Sequence, residues 1–280
     1  MGIGQLGGSI ALGGRAAGLF DWVTGFGRRD DSLQRVRALG LCDATTTSAT
    51  AAVADADTVV LAVPLRAIPG IVDSIANALR PGALIIDVGS VKGTAPRDIE
   101  ARLPPTVMFV SCHPLAGSEH FGPDAARADL FAGRRCLICP TPRISAVALE
   151  RARALWQALG AEVLTMPADL HDRVMAAVSH LPHVAAYALA GALGQLAPEV
   201  ESAARDLPTT SLRDTSRVAA SSSAMWQDIF LENRAALLPL IDALATRLDE
   251  IKEAIATGND ARLGALLDAG RASRARIVPA

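Results

Sequence analysis

Lysine is almost absent: of 27 basic residues only Lys92 and Lys252 are lysines, so an arginine at any one position carries little information by itself. No block of like charge occurs either, and 27 basic against 29 acidic residues leave a net charge of −2. That balance excludes an electrostatic footprint for nucleic acid or an acidic membrane surface, and any anionic ligand must be held by a local cation. Cysteine is scarce, four in 280 residues, too few for a disulfide scaffold. The longest uninterrupted apolar run, residues 184–193, falls short of the roughly 18–20 residues that span a bilayer, so no transmembrane helix is expected. Glycines crowd the N-terminus from Gly2 onward instead of a basic start and an apolar signal core, and a cytoplasmic protein is the expectation.

What is present is ordinary for a globular protein, 50% hydrophobic and 20% charged, in a chain long enough for two domains. Short, continuously apolar runs at residues 22–26, 58–63, 84–88 and 107–112 read as strands buried on both faces. Helical patterns at 32–39 and 67–79 lie between them, and strands at 136–139 and 162–165 flank a helix at 145–159. This alternation predicts a doubly wound, mostly parallel sheet over residues 1–168. From 169 to 280 the pattern is helical, broken at Pro182, Pro198, Pro208 and Pro239. There Ile241, Leu244, Leu248, Ile251 and Ile255 recur at spacings of three and four, the seam of a helix packed on another helix.

Gly2-Ile3-Gly4-Gln5-Leu6-Gly7-Gly8-Ser9 fits a dinucleotide fingerprint, with an apolar helix at 10–17 after it and a strand some twenty residues on. Only Met1 precedes it, so the strand that normally leads into such a loop is expected to be missing, the start codon having been placed too late. Past the second strand, where an acidic residue selects NAD and an arginine NADP, the chain reads Gly27-Arg28-Arg29-Asp30, which leans to NADP. Asp30 or Asp31 remains able to reach the ribose.

Three polar clusters stand out. Asp87-Val88-Gly89-Ser90-Val91-Lys92-Gly93 follows a strand; Ser90 can simply cap a helix and Lys92 can point into solvent. Cys112-His113-Pro114-Leu115-Ala116-Gly117-Ser118-Glu119 places a histidine right after a buried strand, where a general base would stand, although a structural histidine is the commoner case. Ser179-His180-Leu181-Pro182-His183 has a proline that should interrupt the helix and turn side chains inward. No third ligand joins its two histidines, so no metal is expected. Cys136 and Cys139 read as buried small hydrophobes.

Taken together with Asp214-Thr215-Ser216-Arg217 and Met225-Trp226-Gln227-Asp228-Ile229-Phe230, these clusters resemble the prephenate and arogenate dehydrogenase family in order and over essentially the whole chain. The resemblance implies a Rossmann-like α/β domain followed by an all-helical substrate domain that forms a homodimer. It implies oxidative decarboxylation of prephenate to 4-hydroxyphenylpyruvate, or of arogenate to tyrosine, with hydride transfer to NAD(P). His113 then matches the base and Ser90 the serine that orients it. Arg217 matches the arginine on the ring carboxylate, while His183, Ser118, Glu119 and Ser179 lie around the substrate. Gly2, Gly4, Gln5, Leu6, Gly7, Arg28, Arg29, Val63 and Ser90 match the cofactor side. Asp214, three residues before Arg217, is placed to hold its rotamer if the segment is helical. Trp226 reads first as core. With no acid beside His183 for an ammonium, prephenate is favoured over arogenate. A β-hydroxyacid or imine reductase and a non-catalytic NAD(P) sensor are the remote alternatives; the first wants a lysine or aspartate at the head of the helical domain, the second has no need of His113.

Overall fold

The computed structural model describes residues 1–117, 120–207 and 209–278, so Ser118, Glu119 and Pro208 lie outside the described residues. The chain forms two compact units, Met1–Asn233 and Arg234–Ala280.

The first unit begins with helix α1 (Gln5–Ala16), then alternates: β1 (Thr24–Phe26), α2 (Asp30–Ala38), β2 (Ala44–Thr46), α3 (Ala49–Val53), β3 (Thr58–Leu61), α4 (Ile68–Ile75), β4 (Leu84–Asp87), α5 (Ala95–Arg102) and β5 (Met108–Pro114). Strand β6 (Arg135–Cys139), helix α6 (Ala146–Ala158) and β7 (Glu162–Thr165) complete the sheet. β1 and β2 pair in parallel, and β3 to β7 form a second set in sequential order, parallel except between β5 and β6. Residues 1 and 2 sit between the two sets. Gly2 N donates to Phe26 O at 3.0 Å, Met1 N to Val60 O at 2.9 Å, and Ala62 N to Met1 O at 2.9 Å. The two residues thus make the bonds of the central strand that the glycine fingerprint presupposes.

Neighbouring side chains of a strand point to opposite faces, which explains the two cores. Leu84, Ile86, Val110, Cys112 and Ile138 pack with Ile10 of α1 and with Ala152 and Trp156 of α6. On the other face Val59, Leu61, Ile85 and Phe109 pack with Val53, Ile68, Val72, Ile75 and Ile99. Strand β2, absent from the expectation, is three residues of alanine and threonine with no fully buried side chain, and so lacks the apolar signal of its neighbours.

After β7 the described elements are all helical. Helix α7 (Ala168–Met175) runs through a π turn (Ala176–His180) into α8 (Leu181–Leu193). Pro182 therefore does not interrupt the helix: the wide turn just before it accommodates a residue that has no N–H and whose ring crowds the preceding carbonyls. By length and mean composition, residues 168–193 are apolar enough to cross a membrane, although no uninterrupted apolar run reveals it. This helix nevertheless buries His171, Asp172 and His180 inside the first unit. α9 (Pro198–Asp206), α10 (Thr210–Ser216), a 3₁₀ turn (Arg217–Ala220) and α11 (Ser223–Glu232) follow, Pro198 opening α9 as expected.

The second unit is the pair α12 (Arg234–Ala256) and α13 (Asp260–Ile277), capped by Asn259, whose side chain accepts from Arg262 N. Pro239 lies inside α12 instead of ending it. In the second turn it costs a single backbone bond, and its fixed φ already suits a helix.

Candidate active site

The three fingerprint glycines are needed for three different reasons. Gly2 has φ +82°, and a Cβ there would stand 2.4 Å from the Ala62 carbonyl oxygen. Gly7 would place a Cβ 2.1 Å from the Gly2 carbonyl oxygen, so α1 rests on the turn only because that carbon is missing. Gly4, the N-cap of α1, has nothing within 4 Å of its Cβ position. A tight turn, an open approach at a helix N-terminus and close helix packing are what a pyrophosphate cradle requires, so these residues fit a dinucleotide. Gln5 and Leu6 open α1, half-buried, and Val63 lies against Gly2 just past β3. Beyond β1, Gly27 leaves the acidic position empty, while Arg28 and Arg29 are exposed and Arg29 Nη2 lies 3.4 Å from Ser32 Oγ. A cavity of about 1160 Å³ opens beside Gln5 and Gly117 and is lined by His120, Arg127 and Arg134, but not by His113.

Chemistry-bearing side chains gather at the carboxyl ends of β4 and β5, where open parallel sheets bind ligands. His113, on β5, has Nδ1 2.8 Å from His171 Nε2, and His171 Nδ1 lies 2.8 Å from Asp172 Oδ1. The Asp172 carboxylate also accepts from Lys92 N at 2.8 Å and Gly93 N at 2.6 Å. A carboxylate only accepts, so His171 Nδ1 carries a proton, and in the neutral imidazole its Nε2 is then bare. His113 Nδ1 must then donate, which assigns the lone pair of His113 to Nε2. Burial first, then repulsion from the positive forms of His171, Lys92 and His180, holds the His113 imidazole well below the ordinary 6.5.

Lys92 does not point into solvent. It is fully buried, its Nζ 2.6 Å from Asp87 Oδ2 and 2.6 Å from the Cys112 carbonyl oxygen. Ser90, half-buried two residues before it, is no helix cap: α5 starts at Ala95 with Thr94 as its N-cap.

Around the corner His180 is buried, accepts from Asn233 Nδ2 at 3.0 Å, and is pushed down to about 4, chiefly by burial. The same amide donates to the Asp172 carbonyl at 2.9 Å. His183 Nδ1 donates to the Ser179 carbonyl at 2.8 Å, and its ring stacks on Trp226 with centroids 3.5 Å apart. Burial lowers its pKa, opposed by the Ser179 carbonyl and assisted by the charge of Arg217. Trp226 is buried with Val91 and Ile229, as a core residue should be, yet it also walls His183. Helix α10 ends at Ser216, so Asp214 and Arg217 sit on either side of a helix terminus, both exposed. Ser118 and Glu119 fall outside the described residues. His171, Asp172 and Asn233 were not singled out from the sequence, and His180 only as a member of the Ser179–His183 cluster; a histidine-aspartate pair in the first turns of a helix has no distinguishing spacing.

Known proteins bear the same pattern. A model of the prephenate dehydrogenase nucleotide-binding domain matches residues 10–165, and one of the prephenate dehydrogenase dimerization domain matches residues 167–269. A cyclohexadienyl dehydrogenase of Zymomonas mobilis is 37% identical over 257 residues, 92% of this chain and 87% of that protein. The solved prephenate dehydrogenase of Aquifex aeolicus, in complex with hydroxyphenyl propionate and NAD+, superposes with TM-score 0.87 at 32% identity, covering 99% of this chain and 96% of that one. Synechocystis arogenate dehydrogenase does so with TM-score 0.77 at 25% identity, covering 99% and 98%. With nucleotide and helical portions both matched, and a glycine cradle that fits the cofactor of such enzymes, the chain belongs to the prephenate and arogenate dehydrogenase family, NAD(P)-dependent oxidoreductases.

Proposed function

We propose that this enzyme oxidises and decarboxylates prephenate to 4-hydroxyphenylpyruvate and carbon dioxide. The observation that carries the reading is the His113–His171–Asp172 relay, which leaves Nε2 of a neutral His113 free. The nicotinamide cofactor, held at the Gly2–Gly7 turn, supplies the hydride acceptor. His113 Nε2 takes the proton of the ring hydroxyl as the carbon bearing it is oxidised, and Ser90 orients that hydroxyl. Aromatisation then expels the ring carboxylate, which Arg217 grips until it leaves. His183 and Ser179, with Ser118 and Glu119, surround the substrate side chain, and Asp214 supports Arg217. Residues before about 168 bind the cofactor and present Ser90, His113, Ser118 and Glu119 to the substrate, while those after it hold the substrate.

Two finer points belong to the same reading. The glycine at position 27 and the exposed guanidiniums of Arg28 and Arg29 favour NADP, because they match a 2′-phosphate and offer no carboxylate to a 2′-hydroxyl. A charge acting on His183 is the cation Arg217, which suits a keto acid better than the ammonium of arogenate. The exposed Leu248 and Ile255 of α12, with Leu267 and Ile277 of α13, suit the interface of a homodimer, which sedimentation at micromolar concentration tests. Following reduced nicotinamide in the near ultraviolet, with prephenate or arogenate and with NAD or NADP, tests the rest. Prephenate with NADP should give the highest kcat/KM. Turnover of neither acid would overturn the reading, and faster turnover of arogenate would replace its substrate.

A further inference from the structure

One of the two lysines of this chain lies buried where an ammonium is expensive to bury. Lys92 Nζ reaches the Asp87 carboxylate on β4 and, at 2.6 Å, the carbonyl oxygen of Cys112, the peptide that leads into His113. Its own N–H and that of Gly93 hold the Asp172 carboxylate, the far end of the histidine relay. Gly93 has φ +36°, with Asp172 Oδ2 3.4 Å from its Cβ position, so the backbone there is shaped to the carboxylate. One residue therefore grips both ends of the chain of groups that orients His113.

We propose, resting on the assignment of His113 as the base, that Lys92 is its positioning residue: the buried ammonium pins the Cys112–His113 peptide and, by its charge, sets the pH range over which His113 can accept a proton. Joining β4 to β5 does not by itself require a cation, and a neutral hydrogen-bonding or apolar side chain of that size is cheaper to bury. A cation against the base has a distinct effect, since it opposes formation of the imidazolium. The groups that face His113 are Lys92, backed by Asp87, from the loop after β4; His171, backed by Asp172, from α7; and His180 from the π turn. On β6, paired beside β5, stands Cys136, whose buried thiol is raised far above its ordinary range and stays uncharged. Lys92 is the fixed positive charge in this set.

The test reads the base directly. The chain has five histidines, so the Cε1 resonances of the histidine-labelled full-length protein can be followed against pH, with His113 assigned by its loss in His113→Asn. The comparison is among wild type, Lys92→Met and Asp87→Asn. Lys92→Met should move the titration of His113 upward and carry the acid limb of kcat/KM with it. Asp87→Asn leaves the ammonium less compensated and should move both downward. Because Asp87 Oδ1 has no hydrogen-bond partner among the described residues, an amide nitrogen there displaces no bond. A titration unmoved in both variants, or moved the same way in both, overturns the proposal and leaves Lys92 a staple between strands. If Lys92→Met does not fold, a downward shift in Asp87→Asn supports the proposal and no shift overturns it. Should His113 titrate as proposed while His113→Asn keeps full turnover, it is the assignment of the base that fails, and the two outcomes are told apart.

Discussion

The cofactor end and the chemistry end of the first unit are built on opposite principles. At the glycine turn, function comes from missing side chains within six consecutive residues, Gly2 to Gly7, and the ligand-facing groups are backbone. Around His113 it comes from side chains on segments up to 141 residues apart, from Lys92 to Asn233 with His171 and His180 between, each oriented by another. The first is a property of local conformation and the second of packing, so they should fail in different ways when altered.

The sharpest separation should come from His113→Asn, expected to lower turnover by roughly 10²–10⁴ while the cofactor KM stays within twofold; a parallel loss of cofactor affinity would mean the two ends are one. Next, Arg217→Ala should cost about 2–5 kcal/mol in prephenate binding, since a carboxylate is left unpaired. A normal KM for prephenate in that variant contradicts its role.

Acid should act strongly on the chemistry end. His180 is held at about 4 in the folded protein against an ordinary 6.5, so between those values the unfolded chain takes up a proton that the folded one refuses. The His180 contribution is therefore retained above pH 6.5 and lost as pH drops toward 4, roughly 3 kcal/mol from this one group. Chemical denaturation at pH 7 and pH 4.5 measures this, and His180→Gln should flatten the dependence. Over the same range the lowered pKa of His113 predicts that kcat/KM holds below pH 6.5.

A smaller loss, about 1–3 kcal/mol, is expected from Gly2→Ala, where φ is +82° and the Ala62 carbonyl lies 2.4 Å from the new carbon. It should appear in cofactor affinity and leave the acid limb in place; movement of that limb would show the turn to be coupled to the base. As a baseline, removing the exposed Arg102–Asp73 pair with Arg102→Ala should change the denaturation midpoint little, within about 1 kcal/mol.

Legibility followed the same division. Strands β4 and β7 match their expected spans within a residue, β4 because it is a continuous buried apolar run, and the glycine fingerprint announced its helix. Two prolines misled, because Pro182 sits after a π turn and Pro239 early in a long helix, and neither context is visible in a local pattern. His113 stood out at the end of an apolar run, which the structure makes the end of β5, whereas His171 and Asp172 beside it did not, since nothing in a His-Asp dipeptide says which strand end it will face.

By itself the sequence determined the alternating sheet, the helical remainder, the cofactor turn and, through motifs held in order, the family. Each of these depends on side chains near one another along the chain, where backbone geometry is set by local sterics and apolar periodicity. Only the tertiary structure decided that a lysine free to point into solvent is the most buried charge of the site, which nitrogen of His113 keeps its lone pair, and that His113 is held below the ordinary range for histidine. Those are outcomes of burial and of hydrogen bonds between distant segments, and they exist only once the helices have closed over the ends of β4 and β5.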